Sequence, residues 1–277
     1  MSSDHIPLAG VIGTNVAHSK SPVLHRHWLR RHGLPGDYIP LQVAEGDLAQ
    51  VVRALPRMGF VGANVTIPHK VSVMDHADQI SDRAILIGAA NMLTFRSDGS
   101  IYADNTDGYG FLAALRQGAP HWQPSDGPAA VLGAGGAARA IINALIEAGV
   151  QDILLANRTR TNADALKASF GSKVHVYDWV QAGNMIEEAT LLVNTSSLGM
   201  TGAAEFRVPL DGLRPEMTVM DLVYMPLRTR LLLEAQAAGC TTVDGLGMLL
   251  HQAVPAFERW FGERPVVDEA IRAAVLA

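Results

Sequence analysis

The sequence predicts an α/β protein made of two units. Two observations carry that prediction. The first hundred residues alternate strand-like and helix-like segments in βαβαβ order, and a glycine-rich turn near residue 133 lies between a further strand and helix. Alternation of this kind predicts parallel sheets with helices on their faces. The chain has 277 residues, 48% of them apolar, which is ample for one large core or two ordinary ones.

The elements follow in order. "PLAGVIG" (7–13) reads as a buried strand. Pro22 to His32 reads as a helix, capped by Ser21 and stopped by Gly33. "DYIPLQV" (37–43) is strand-like, and Asp47 is placed to cap a helix whose Leu48, Val51, Val52 and Leu55 share one face. "GANVTIP" (62–68) is a third strand. "NMLTFRSDGSIYADN" (91–105) predicts a hairpin with Asp98-Gly99 in its turn. A second unit begins near Asp107 with the helix-like "DGYGFLAALRQG". The turn-rich "APHWQPSDGP" then predicts a surface loop. In "AAVLGAGGAARAIINALIEAGVQDILLANRTR" a strand, a glycine turn, a helix and a strand succeed one another. Ile141, Ile142, Leu145 and Ala148 supply the helix's apolar face, and Gly149 its stop. Later strands are expected at 189–195, 218–224 and 241–244. The final "GMLLHQAVPAFERWFG" is helix-like, and Pro255 is expected to kink it or to leave one carbonyl unpaired.

Composition narrows the function. There are 22 basic and 27 acidic residues, a formal charge of −5, which argues against nucleic acid or an anionic membrane as partner. The N-terminus lacks a signal-peptide layout, and no apolar run reaches the ~20 residues a membrane span needs. Cys240 is the only cysteine, so no intrachain disulfide can form. These features predict a cytoplasmic protein. Cys240 itself reads as a small buried apolar residue. His25, His27 and His32 do not share one helix face and have no carboxylate or cysteine beside them, so they read as part of a solvated basic helix and no metal is expected.

The glycine turn "VLGAGGAAR" places Gly133, Gly135 and Ala138 in the G-x-G-x-x-G/A pattern of a Rossmann-type dinucleotide site. Gly133 allows the tight turn, Gly135 lets backbone approach a pyrophosphate, and Ala138 lets helix and strand pack closely. The helix N-terminus then offers free N–H groups to phosphate. The next strand ends in "NRTR" (157–160), where an NAD site usually has an acid. Arg158 and Arg160 suit a 2′-phosphate instead, which predicts NADP.

In the first unit, candidate polar groups fall at predicted strand ends: Ser19, Ser21, Asn64, Thr66, Lys70, Asn91 and the "DNTDG" run containing Asp107. Ligands of open α/β sheets bind outside the carboxyl ends of the strands. Hydroxyls, amides, one lysine and one aspartate suit a small polyhydroxylated substrate. Lys70 and Asp107 are the expected proton-transfer pair, because hydride addition to a ketone leaves an alkoxide that must be protonated. His69, adjacent to Lys70, is expected to point elsewhere.

Taken together these segments resemble the shikimate dehydrogenase family along nearly the whole chain. The pieces are "GVIGTNVAHSKSPVLH", "GANVTIPHK", "IGAANML", "DNTDGYG", "VLGAGGAARA", "NRT", "NTSSLGM", "DLVYMPLRT" and "DGLGMLLHQA". The resemblance implies NADPH-dependent reduction of 3-dehydroshikimate to shikimate, a step of aromatic amino-acid synthesis. It implies that Ser19, Ser21, Asn64, Thr66, Lys70, Asn91, Asp107 and Gln252 contact the substrate, with Tyr224 close to it. Lys70 would be the acid/base residue and Asp107 its neighbour. Gly133, Ala134, Gly135, Gly136, Ala137, Asn157, Arg158, Thr159, Thr195, Leu222, Gly245 and Met248 would meet the cofactor. Asn162 stands where a second arginine often follows "NRT", which gives that role to Arg160. Other departures are Arg26, where an asparagine commonly follows the "SPVLH" motif, and Met225, where one commonly lies between Tyr and Pro. The implied domains are 1–107 for the substrate, with 247–277 packing back on it, and a Rossmann-type 108–246, in a monomer or homodimer. Two alternatives differ in kind: an NAD-preferring quinate/shikimate dehydrogenase, and a catalytically silent nucleotide-binding regulator on the same scaffold.

Overall fold

A computed structural model describes residues 6–277 of the chain. It divides into two compact units, Met1–Asp107 with Leu250–Ala277, and Gly108–Leu249. The chain passes from one to the other at the start of one helix and returns within another.

The first unit contains β1 (Leu8–Gly13), α1 (Ser21–His32), β2 (Asp37–Gln42), α2 (Leu48–Ala54), β3 (Phe60–Val65), β4 (Gln79–Ile80), α3 (Asp82–Ile87), β5 (Met92–Phe95) and β6 (Ile101–Asp104). Its sheet has the order β2-β1-β3-β5-β6-β4. β1, β2 and β3 run parallel, as do β4 and β6, and β5 is antiparallel to both its neighbours, β3 and β6. The sheet is therefore mainly parallel, with one reversed strand supplied by the hairpin. One face carries Ile12, Ala63, Val65, Leu93 and Ile101 packed with Leu48, Val52 and Leu55 of the α2 region. The other carries Ala9, Val11, Tyr38 and Met92, covered by Ala256 and Trp260. Those two residues lie on α9 (Gly245–Phe261), the helix that brings the chain back. Burial on both faces is what an almost continuously apolar strand requires.

The second unit begins with α4 (Asp107–Gly118), most of which lies in it. There follow β7 (Ala129–Leu132), α5 (Gly136–Ala148), β8 (Ile153–Ala156), α6 (Arg160–Phe170), β9 (Val174–Tyr177), α7 (Ala182–Glu188), β10 (Leu191–Asn194), β11 (Thr218–Asp221), α8 (Arg230–Ala237) and β12 (Thr241–Val243). All strand pairs are parallel, in the order β12-β11-β10-β7-β8-β9. Read from the other edge this is the 3-2-1-4-5-6 order of dinucleotide-binding folds, with the order reversing between β7 and β10. A terminal helix, α10 (Glu269–Leu276), belongs to the first unit.

Several expectations are corrected. Ser21 does not cap α1. Lys20 holds the cap position without a side-chain bond, and Ser19 Oγ accepts the Ser21 N–H at 3.3 Å. Asp47 makes no side-chain cap either, because a short helical turn, Glu45–Asp47, already feeds α2. The third strand spans 60–65 instead of 62–68. β11 stops at Asp221, short of Tyr224: the Leu222 N–H makes the last ladder bond, to Asn194 O, and the Val223 N–H turns to the Asp221 carboxylate instead. Pro255 lies inside α9, which runs unbroken past it. His25 is not solvated: it is fully buried and stacks on Tyr38 with centroids 4.1 Å apart.

Candidate active site

The carboxyl edge of the first sheet gathers polar side chains because the chain leaves or enters it at several points. β1 and β3 end there, β6 ends there, and antiparallel β5 begins there, with Asn64 paired to Met92 and Met92 to Asp104. Asn64 is therefore the penultimate residue of β3, Asn91 directly precedes β5, and Asp107 follows β6 by three residues.

These groups form one hydrogen-bonded network. Lys70 Nζ donates to Asp107 Oδ2 at 2.5 Å, with side-chain exposures of 12% and 4%. An ion pair so far removed from solvent is screened little by salt and is positioned sharply. Lys70 also accepts the Ala90 N–H through its carbonyl, tying its backbone to the segment that carries Asn91. Asn91 Nδ2 lies 2.8 Å from Asp107 Oδ1, 3.0 Å from Gln252 Oε1 and 3.0 Å from Thr106 Oγ1. Asn91 Oδ1 accepts the Thr106 N–H, and its carbonyl accepts both the Val65 N–H and Asn64 Nδ2. The Asn105 carboxamide oxygen accepts the Asp107 N–H, fixing the aspartate at the first position of α4. Thr106 Oγ1 donates to the Gln252 carbonyl, which pins α9 beside the network.

Of the residues expected to meet substrate, Asn64, Lys70, Asn91, Asp107 and Gln252 are thus joined by direct bonds. Ser19, Ser21 and Thr66 lie where the chain leaves β1 and β3, with no side-chain bond into that network. Ser19 Oγ serves the Ser21 N–H, and Ser21 is buried. Tyr224 is half-buried in the second unit, on the loop after β11. His69 turns away from Lys70: its Nε2 meets Val43 O at 2.9 Å.

The second unit offers a separate cradle. Gly133 has φ 112°, and a Cβ there would come 2.7 Å from Thr195 Oγ1 and 3.1 Å from Ser196 N. A side chain is excluded by the neighbouring loop as well as by the backbone angle. Gly135 opens α5 with no side-chain cap, and a Cβ at Gly135 would meet nothing within 4 Å. The start of α5 thus has no side-chain cap and open space beside Gly135, which fits a phosphate. Asn157 Oδ1 accepts the Ala134 N–H, holding the turn to the end of β8. Arg158 is exposed and carries no ion pair, whereas Arg160 binds Asp164 at 3.1 Å and Asp178 at 2.6 Å. Thr195 donates to Leu132 O, and Gly245 lies so close to Leu222 O that a side chain there would overlap it. Met248 is buried at the start of α9.

A buried lysine–aspartate pair at one sheet edge and an uncapped glycine turn at the switch point of a six-stranded parallel sheet define the class: a two-unit α/β dehydrogenase. Comparison with known proteins narrows it. Residues 11–93 match the shikimate dehydrogenase substrate-binding domain, 121–202 the shikimate/quinate 5-dehydrogenase domain, and 245–276 the shikimate 5′-dehydrogenase C-terminal domain. The chain is 70% identical over 272 residues to the NADP(+) shikimate dehydrogenase of Cereibacter sphaeroides, covering 98% of each. Among solved structures it resembles shikimate 5-dehydrogenase from Thermus thermophilus in complex with NADP(H) and shikimate, with TM-score 0.87, 37% identity and coverage of 97% and 98%. It also resembles quinate dehydrogenase from Corynebacterium glutamicum in complex with NAD, with TM-score 0.89, 30% identity and 99% coverage of each. The chain belongs to the shikimate dehydrogenase family.

Sequence reasoning missed Thr106 and Tyr38. Thr106 sits within the "DNTDG" run and was legible only as part of a turn. Tyr38 Oη donates to Asn64 Oδ1 at 2.8 Å across the sheet, yet in sequence Tyr38 is an ordinary strand residue with no polar signature. Among the described residues no helix is long and apolar enough to cross a membrane.

Proposed function

We propose that the protein catalyses the reversible, NADPH-dependent reduction of 3-dehydroshikimate to shikimate. The observation that carries this reading is the buried Lys70–Asp107 ion pair, enclosed by amides that suit a hydroxylated ligand. NADPH, when bound, supplies the hydride that reduces the ketone. Lys70 Nζ donates a proton to the oxygen that becomes the new hydroxyl, and in the reverse direction takes it back. Asp107 orients the ammonium and compensates its charge, so that the amine can return to its resting state from solvent. Asn91 holds Asp107 in place, while Asn64, Thr66 and Gln252 bind ring hydroxyls. Ser19 and Ser21 bind the carboxylate. An amide site that loses its partner on an analogue lacking a hydroxyl pays the desolvation of an unpaired group, which gives strong discrimination.

Gly133 to Ala137 would hold the pyrophosphate, with Asn157 and Thr159 beside it. Thr195, Leu222, Gly245 and Met248 would hold the nicotinamide half. Arg158 would pair with the 2′-phosphate, since Arg160 is already engaged by two carboxylates. Tyr224 would lie near the substrate ring. The likeness to an NAD-bound quinate dehydrogenase makes quinate with NAD the second reading, and the open 2′-phosphate position at Arg158 argues for NADP.

The test is NADPH oxidation with 3-dehydroshikimate, set beside NADH and beside quinate oxidation. Turnover is expected with NADPH, and Lys70→Ala is expected to lower kcat by roughly 10²–10⁴ with a smaller change in KM, the range general acid catalysis supplies. A mutant that loses only affinity would make Lys70 a binding group. Arg158→Glu should weaken NADPH far more than NADH; equal losses would end the NADP assignment.

A further inference from the structure

At the carboxyl edge of the second sheet, Asn194 closes β10 and Asp221 closes β11, both with 0% exposure. Asn194 Nδ2 donates to Asp221 Oδ1 at 2.9 Å and to Leu198 O at 3.2 Å, and Asn194 Oδ1 accepts Ser196 N at 3.1 Å and Ser196 Oγ at 2.7 Å. Every hydrogen-bonding position of that amide is used, and all serve the loop that leaves β10 or the carboxylate beside it. Asp221 Oδ1 also accepts the Val223 N–H at 3.0 Å, and Oδ2 accepts Thr229 Oγ1 at 2.6 Å. Thr229 in turn caps α8, so the 222–229 loop is held at both ends by one carboxylate.

No cation pairs with Asp221 among these bonds. A buried carboxylate satisfied only by neutral donors costs desolvation that an apolar residue at a strand end would avoid. What the carboxylate achieves is fixed geometry. The 195–199 loop it holds through Asn194 lies directly against Gly133, where even a Cβ would meet Thr195 Oγ1 and Ser196 N. The 222–223 backbone it holds presses equally closely on Gly245.

We propose that Asn194 and Asp221 are positioning residues for cofactor binding: together they lock the two loops that follow β10 and β11 against the glycine turn and set its shape for the nucleotide. The inference rests on the cofactor reading above. Neither residue touches the ligand; both act through Thr195, Ser196, Leu222 and Gly133.

Asp221→Asn and Ser196→Ala test it, singly and combined, with NADPH binding followed by fluorescence and steady-state kinetics on the full chain. Asp221→Asn keeps the shape but leaves one accepting oxygen in place of two: Val223 N–H and Asn194 Nδ2 keep it, and Thr229 Oγ1 must change from donor to acceptor. Asp221→Asn should weaken NADPH binding about tenfold, and Ser196→Ala about three- to fivefold, the scale of one or two buried hydrogen bonds. KM for 3-dehydroshikimate should stay within about twofold, and the double variant should lose less than the product of the single losses. Folded variants that bind NADPH like the wild type, or that lose both substrates equally, overturn the proposal. If Asp221→Asn does not fold, Ser196→Ala decides by the same measures. A wild type that binds NADPH but does not reduce 3-dehydroshikimate removes the substrate reading and leaves the binding titration to judge this pair. A wild type that binds no NADPH overturns both.

Discussion

Asn64 illustrates how much one amide of the polar cluster depends on a residue outside it. A carboxamide can face either way, and only its partners decide. Tyr38 can donate but Asn91 O can only accept, so Oδ1 must face the phenol and Nδ2 the carbonyl. Tyr38 is itself fully buried and stacked on His25 at an interplanar angle of 5°. Tyr38→Phe keeps the stack and removes the donor, leaving the orientation of Asn64 to one bond. KM for 3-dehydroshikimate should rise roughly three- to tenfold, the worth of a buried hydrogen bond of about 1 kcal/mol. KM for NADPH should not change. Steady-state kinetics with each substrate varied in turn would check this, and an unchanged KM for 3-dehydroshikimate would remove Tyr38 from the site's support.

At the scale of elements, α9 is the piece that carries Gln252 to the network, and its seat depends on a single glycine. The Trp260 indole rests on Gly62 of β3 so closely that any Cβ there would overlap it, and Trp260 Nε1 donates to Leu93 O at 3.0 Å. Gly62→Ala must therefore push α9 off the sheet or force the indole from its rotamer. The expected cost is about 1–3 kcal/mol, as for overpacked cores, read as a lower midpoint in denaturant titration. KM for 3-dehydroshikimate should rise with it, because Gln252 moves with the helix. β1, α1, the β5–β6 hairpin, α5 and α9 were legible because their apolar runs exceed local noise, whereas β4, α6 and β9 were not read from the sequence. α3 and α7 span only six and seven residues, and unlike the equally short α2 neither was read from an apolar stripe. α8 and α10 could have been found from Thr229 and Asp268, which each accept an N–H of the first turn. In the site, Lys70, Asn91 and Asp107 stood out as polar residues at strand ends. Thr106, Asn194 and Asp221 did not, because their meaning lies in partners on other strands or helices that no local pattern reveals.

For the whole molecule, the perturbed titrating groups divide unevenly between the two units, and this predicts which yields first to acid. In the first unit burial alone lowers His25 from 6.5 to about 3, with neither ring nitrogen hydrogen-bonded, and burial also lowers His251. At Asp37 burial opposes ionisation, but bonds from Arg26 and the Tyr38 N–H outweigh it. Asp78 is lowered by Arg53, Asp98 by Ser100, and Asp268 by the Ile271 N–H and Arg31. Each of these groups binds protons more weakly folded than unfolded, so each loses stabilisation as pH falls: the histidines below 6.5, the aspartates below 3.8. For His25 alone the loss between pH 6.5 and 4.5 is roughly 2 kcal/mol, the slope rising from half to nearly all of about 1.4 kcal/mol per pH unit. In the second unit Asp221 has the opposite sign. Burial pushes its carboxyl up to about 6 against bonds from Thr229, Val223 and Asn194. Between 3.8 and about 6 it holds its proton in the folded state, so its contribution improves as pH falls through that window. Hydrogen exchange at pH 7 and pH 4.5, corrected for intrinsic rates, should therefore show protection falling in Met1–Asp107 and Leu250–Ala277 well before Gly108–Leu249. His25→Phe, which preserves the stack on Tyr38 and abolishes the titration, should narrow that gap. Equal loss in both units, or a His25→Phe protein as acid-sensitive as the wild type, would show that these groups do not set the acid limit.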